Sequence, residues 1–217
     1  MSHRSTLLLC AVALIGVRAW PAMSVVVLGG PIRDSGGIPP NWQVKEHAGR
    51  ANVSGCADNQ GLCVRLVSQN SSFALEHGVD IAPADLPYLS WRWKVSQLPQ
   101  AGDFRKPSTD DQAAQVLVAF SDHRVLSYIW DSNAPKGTMR SASTIPLVHV
   151  LAVVCESGSA ETNRWIAETR NVAADYERAF GKPAPHIKGL RLQINTQHTN
   201  GYAESYFGEV VFRSTPE

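Results

Sequence analysis

The chain has 217 residues with 20 Lys and Arg against 19 Asp and Glu, a formal net charge of +1, and 44% apolar residues. That is enough for one domain with a proper core. A balance this even, with no basic block or stripe, argues against a nucleic-acid partner.

The chain opens with His3 and Arg4, runs apolar from Leu7 to Val17, and then offers small residues at Ala19 and Ala22. This is the layout of a signal peptide over residues 1–22, cut after Ala19 or Ala22, since the run is too short for a stable membrane anchor. No later stretch approaches spanning length. The mature protein is therefore expected in the periplasm or outside the cell, with no membrane span. Residues 23–40, rich in Gly and Pro, read as a linker, and residues 41–217 as a single β-sandwich domain.

Export places Cys56 and Cys63 where thiols oxidise, and the polar ADNQGL between them suits a hairpin turn. A Cys56–Cys63 disulfide follows. Cys155, within the apolar VLAVVCES, reads as a buried free thiol.

Short alternating segments separated by turn residues favour an antiparallel sandwich over a parallel α/β sheet. Strands are expected near residues 42–48, 62–69, 72–79, 88–95, 113–120, 125–130, 148–155, 164–170, 189–195 and 203–212, with a tight turn at Asp122-His123. One short helix should start at an Asn171 cap, put Val172, Tyr176 and Phe180 on one face, and stop at Gly181. Residues 97–111 show no apolar period and read as a long loop.

In YLSWRWKV, Leu89, Trp91, Trp93 and Val95 alternate with Ser90, Arg92 and Lys94, giving one greasy and one cationic face. Glu168 and Arg170 share a face of the next polar strand, as do Arg191, Gln193 and Asn195 of another. If these strands neighbour one another, Arg92, Lys94, Glu168, Arg170, Arg191 and Gln193 converge on a groove suited to hydroxyls and carboxylates, a polysaccharide or other glycan. The competing reading is that any half-buried sheet solvates one face. Trp91 and Trp93 read as core, whereas Trp130, at a strand end beside a loop, is expected to be exposed as a ligand platform.

Asp110 and Asp111 offer adjacent carboxylates to a hard cation such as calcium, or else cap a strand or pair with Arg105 or Lys106. The histidines show no metal-ligand pairing, and no other cofactor is called for.

Leu89-Ser90-Trp91-Arg92-Trp93-Lys94, Asp110-Asp111 with Ala113-Ala114, Leu126-Ser127-Tyr128 with Trp130, Arg170-Asn171-Val172 with Asp175-Tyr176, Phe180-Gly181 and Tyr206-Phe207-Gly208, in that order, resemble the bacterial domain of unknown function 3047 family over residues 39–212. The resemblance implies an exported jelly-roll sandwich similar to carbohydrate-binding modules, and the family has no established activity to transfer. Where such relatives tend to carry an Asp-x-Asp-Asn-Thr-like segment, this chain has Asn195-Thr196-Gln197-His198-Thr199, which lacks the charge for a metal or acid role.

Three functions compete: a noncatalytic carbohydrate-binding or envelope protein, a polysaccharide-active enzyme, and a structural or protein-interaction module with a protein partner. For the enzyme, Arg170, Gln193, Asn195 and Tyr206 loosely echo a lyase set, and Glu168, Asp175, Glu204 and Glu209 are carboxylates from which a glycosidase pair could be drawn.

Overall fold

A computed structural model describes residues 22–29, 37–58, 61–141 and 148–216. The apolar N-terminal run lies outside them, as does the tip of the hairpin between Cys56 and Cys63.

Two β-sheets face each other. The strands are β1 (Ser24–Leu28), β2 (Gln43–Ala48), β3 (Val53–Asp58), β4 (Gly61–Gln69), β5 (Ser72–Ile81), β6 (Tyr88–Gln97), β7 (Ala114–Phe120), β8 (Arg124–Asp131), β9 (Met139–Ser141), β10 (His149–Ser157), β11 (Ile166–Asn171), β12 (Ile187–Asn195) and β13 (Tyr202–Arg213). The first sheet runs β11-β6-β13-β4-β3 with β1 beside β13, and the second runs β2-β5-β12-β7-β8-β10-β9. The result is a sandwich, as the alternating segments implied, and of the jelly-roll type that the family resemblance implied.

Each expected strand forms. Part of the stretch read as a linker forms β1 and pairs with β13, and β3 and β9 are additional. Pairing is antiparallel throughout except for β8 with β10. The exception has a topological cause: β9 lies outside β10 and pairs with it antiparallel, so β10 returns into the sheet parallel to β8.

Alternation decides what is buried. Leu89, Trp91, Trp93 and Val95 of β6 face inward and meet Tyr128 and Trp130 of β8. The Trp91 and Tyr128 rings stack at 5.3 Å, and Trp93 lies 5.8 Å from Trp130. Trp130, expected at the surface, is fully buried and donates its indole N–H to the Gly158 carbonyl at 3.1 Å. Its parity with Leu126 and Tyr128 puts it on the core face, and that outweighs its position beside a loop.

The helix α1 (Val172–Phe180) spans the predicted residues. The Asn171 side chain accepts from Ala174 N–H, and Gly181 closes the helix in the left-handed conformation at φ 69°. Val172 and Tyr176 are buried against the sandwich edge. Cys56 and Cys63 face each other across β3 and β4 and are joined by the expected disulfide, and Cys155 is a buried free thiol.

Candidate functional site

The outward face of the second sheet is hollowed into a cleft of about 530 Å³. Register fixes its composition. In one row Gln193 of β12, Gln115 of β7 and Ile129 of β8 lie side by side. In the next, Glu76 of β5, Arg191, Leu117, Ser127 and Ala152 follow one another across five strands. The β12 side of the cleft is thus amide-rich, and the β8–β10 side is an aliphatic floor of Val125, Ile129, Val150 and Ala152.

Asn195 organises the polar end. Its carbonyl oxygen accepts from Gln112 N–H at 3.0 Å and Gln115 Nε2 at 2.7 Å, while its Nδ2 donates to the Asp110 carbonyl at 2.6 Å and Asp111 Oδ1 at 3.2 Å. The amides around it keep open capacity. Gln193 reaches the cleft without a hydrogen bond to the described residues, and Ser127 Oγ and Gln197 Oε1 are buried without a partner. Unpartnered buried polar atoms are costly and mark places where water or a ligand completes the bonding.

The cleft's guanidinium groups, by contrast, are already paired. Arg191 Nε meets Glu76 at 2.8 Å and Arg124 meets Asp122 at 2.6 Å. Burial, aided by Arg191, lowers the pKa of His47, favouring its neutral form. Burial raises that of Asp110, partly opposed by the Gln112 amide. The cleft's guanidinium charges are thus matched, while part of its amide and hydroxyl bonding capacity is open.

Asp111 sits on no ligand-ready surface. Its oxygens accept from Thr199 N–H and Oγ1, both at 2.7 Å, and from His198 N–H at 3.2 Å, so it anchors the β12–β13 turn. Asp110 accepts from Gln112 Nε2 at 2.8 Å. Arg105 and Lys106 pair with Asp103 instead of either. Among the described residues, no group of three or more His, Cys, Asp or Glu is placed to hold a metal ion.

The residues expected to converge do not share one surface. Arg191 and Gln193 line the cleft. Arg92 and Lys94 lie on the outward face of the other sheet, because β6 belongs to it. Glu168 and Arg170 are opposite Trp91 and Leu89 and face inward. There Arg170 forms two bonds of 2.9 Å with Asp175, which also accepts from Tyr128 Oη at 3.0 Å. The lyase-like set is divided in the same way: Gln193 and Asn195 are at the cleft, Arg170 is at the interior edge, and Tyr206 is on the far sheet. Glu204 and Glu209 are also on β13, away from the cleft. Sequence reasoning missed Gln112, Gln115, Ser127 and His47. Gln115, a lone amide in the apolar AAQVLVAF, was the available signal.

A two-sheet jelly-roll sandwich with an amide-lined cleft on one outward face is the class of fold that this chain adopts. The profile of the family described as protein of unknown function (DUF3047) matches residues 40–211, and the chain belongs to that family. No curated protein matches it in sequence. Among solved structures it is similar to the xyloglucanase domain of NopAA, a type three effector from Sinorhizobium fredii in complex with cellobiose (TM-score 0.51, 9% identity, 88% of this chain and 98% of that one). It is also similar to endoglucanase cel12A from Rhodothermus marinus (TM-score 0.49, 8% identity, 88% and 99%). A third is the family 11 carbohydrate-binding module of cellulosomal cellulase Lic26A-Cel5E of Clostridium thermocellum (TM-score 0.43, 8% identity, 79% and 86%).

Proposed function

We propose that this is an exported, noncatalytic carbohydrate-binding protein that holds a neutral glycan in the cleft of the second sheet. The observation that carries the reading is the set of uncommitted polar groups, the Gln193 amide, Gln197 Oε1 and Ser127 Oγ, beside guanidinium groups already neutralised by Glu76 and Asp122. Amides bond hydroxyls in fixed geometry, and the aliphatic floor takes the C–H faces of a sugar ring. Export is supported by the apolar N-terminal run and by the disulfide. Of the carboxylates at the cleft among the described residues, Glu76 and Asp122 are taken up by Arg191 and Arg124, which leaves Asp110. Hydrolysis ordinarily needs two facing each other, which favours binding over cleavage.

The sandwich shared with a glucan-cleaving domain that holds cellobiose makes cello-oligosaccharides and xyloglucan fragments the first probes. In calorimetry, Gln193→Ala should weaken binding about tenfold, as expected for loss of a buried hydrogen-bonding group. Absence of binding to any neutral glycan on an array, or equal affinity for wild type and variant, would overturn the cleft reading. Release of new reducing ends from a bound polymer would replace binding with catalysis.

A further inference from the structure

The aliphatic half of the cleft is organised differently from its amide end. Along β12 and β7 the row of Gln193 and Gln115 is followed by Arg191 and Leu117, and that by Gly189 and Ala119. Across the sheet this last row is Gly78, Gly189, Ala119, Val125 and Val150 on five neighbouring strands, with no hydrogen-bonding side chain among them. An outward sheet face ordinarily carries polar side chains that water solvates. Here Leu117, Ala119, Val125 and Val150 are half-buried and line the cleft instead.

One polar group interrupts this floor. Ser127 faces outward between Leu117 and Ala152, and Ile129 and Val125 flank it along β8. It is 2% exposed, and its Oγ has no hydrogen-bond partner among the described residues. Burying a hydroxyl in this state is costly, so the position favours a ligand oxygen that accepts from it. The cleft thus presents amides at one end, a single hydroxyl in the middle and hydrocarbon at the other, over about 13 Å from Gln115 to Ala119 at the usual rise per residue.

A second sugar unit is poorly served by this floor. Its hydroxyls would lie over the row of Ala119, Val125 and Val150 with no side chain to bond, and the lining phenylalanines, Phe104 and Phe120, are buried and offer no open ring for stacking. An aliphatic chain needs neither.

We infer that the ligand is an acylated glycan. Its sugar ring lies on the amides, the carbonyl that joins its acyl chain accepts from Ser127 Oγ, and the chain covers Leu117, Ala119, Val125 and Val150. The inference rests on the cleft reading and names the substituent that the glycan carries. Among the described strands, the exposed large apolar side chains Val25, Val26, Leu62 and Tyr202 belong to the first sheet, and Met139 to the second. With one such side chain on its sheet, the cleft has no apolar rim of the kind that enters a bilayer, so its source is a free acylated glycan and not a membrane lipid.

The test is calorimetry with glucose esters of acetic to octanoic acid, each below its critical micelle concentration, and separately with cello-oligosaccharide and sodium octanoate. Affinity should rise about two- to fourfold for each CH₂ added, the upper figure holding for complete burial, and level off once the floor is covered. Val125→Thr combined with Val150→Thr, which keeps side-chain volume and adds hydroxyls, should cut that gain by half or more. Ser127→Ala should weaken every ester about fivefold and leave the gain per CH₂ as it was. Far-UV circular dichroism should confirm that each variant is folded. Equal affinity for the acetyl and octanoyl esters, a chain-length gain unchanged in the double threonine variant, or octanoate bound as tightly as the octanoyl ester would each overturn the inference. Co-sedimentation with phosphatidylcholine vesicles carrying monoglucosyl diacylglycerol, in preference to binding the free ester, would overturn the free source. A flat ester series alongside cello-oligosaccharide binding that responds to Gln193→Ala strikes the acyl inference alone, whereas absence of binding to any sugar strikes the cleft reading.

Discussion

Glu168→Gln should abolish a pH dependence of stability that the fold itself creates. Glu168 lies on β11 at the edge of its sheet and faces inward, its Oε1 buried without a hydrogen-bond partner among the described residues and its carboxyl near that of Glu156 of β10 across the gap between the sheets. The charged and titratable groups around it are Lys136 from the β8–β9 connection, Arg170 on its own strand, Cys155 on β10 and Asp175 on α1. Burial pushes the Glu168 pKa up, the Glu156 charge adds to this, and Lys136 and Arg170 oppose it, leaving it at about 7 against 4.5 for a free glutamate side chain. Between those two values the unfolded chain releases a proton that the folded chain keeps. Stability is therefore full below the lower value and falls as pH rises toward the upper one, by about 1.4 kcal/mol per pH unit and at most about 3 kcal/mol in all. Asp103 and Glu204 act in the opposite sense, because Arg105 and Arg65 respectively hold their carboxyls below the usual range. At Asp122 burial works against ionisation, yet the Tyr176 hydroxyl, Lys182 and Arg124 outweigh it. What these carboxylates contribute is lost as pH falls below about 4, so stability should peak near pH 5. In Glu168→Gln the neutral amide can donate to Glu156 and has no proton to lose. Thermal unfolding followed by circular dichroism from pH 4.5 to 8.5 should show wild type losing about 6–12 °C toward the alkaline end, at about 2–4 °C per kcal/mol. The variant should stay level, matching wild type near pH 5 and exceeding it at pH 8. Parallel curves for the two proteins would refute the assignment of this proton to the inter-sheet carboxyl pair.

Asp175→Ala strands the half-buried Arg170 guanidinium and the Tyr128 hydroxyl, and should cost about 3 kcal/mol in urea unfolding. A cost below about 1 kcal/mol would mean that water replaces the carboxylate without penalty. The Cys155 thiol has its pKa pushed well up by burial, and the Glu168 charge adds to that. It should resist iodoacetamide at pH 8 in the folded protein and react once urea is added, and rapid native labelling would show that β10 opens.

The strands were legible because inward and outward positions alternate so regularly. In β6 the parity of Trp91 and Trp93 against Arg92 and Lys94 is the parity of the finished sheet. β3 escaped notice because it pairs only with β4 and carries Gly55, and β9 because three residues hold no period. β1 presents its valines largely to solvent and resembles neither a buried nor an alternating strand. The expected convergence failed for a different reason. Alternation says which side chains share a face of one strand, but not which sheet the strand joins, and β6 and β12 joined different sheets. For β11, antiparallel register against β6 set Glu168 beside Trp91 and so turned it inward, while Ala167 and Thr169 face out beside Arg92 and Ser90. The loss of acidic residues in Asn195-Thr196-Gln197 does carry meaning, since Asn195 ties the cleft's polar end together by hydrogen bonds at the position where a charge was expected.

The two outward faces differ in the partner given to their cations. On the cleft side Arg191 and Arg124 are matched by carboxylates, so recognition is left to amides and hydroxyls. On the opposite side Lys94 is matched by rings, so charge remains. Both faces are stiffened from beneath by the same aromatic core, because Arg92 and Lys94 are separated along β6 by the inward Trp93, whose ring packs near Trp130. Side chains already ordered in the free protein have little rotamer entropy left to lose on binding, which favours affinity from few contacts. Loosening the core beneath them, for instance by Trp93→Leu, should therefore weaken glycan binding in the cleft even though every group lining it is retained.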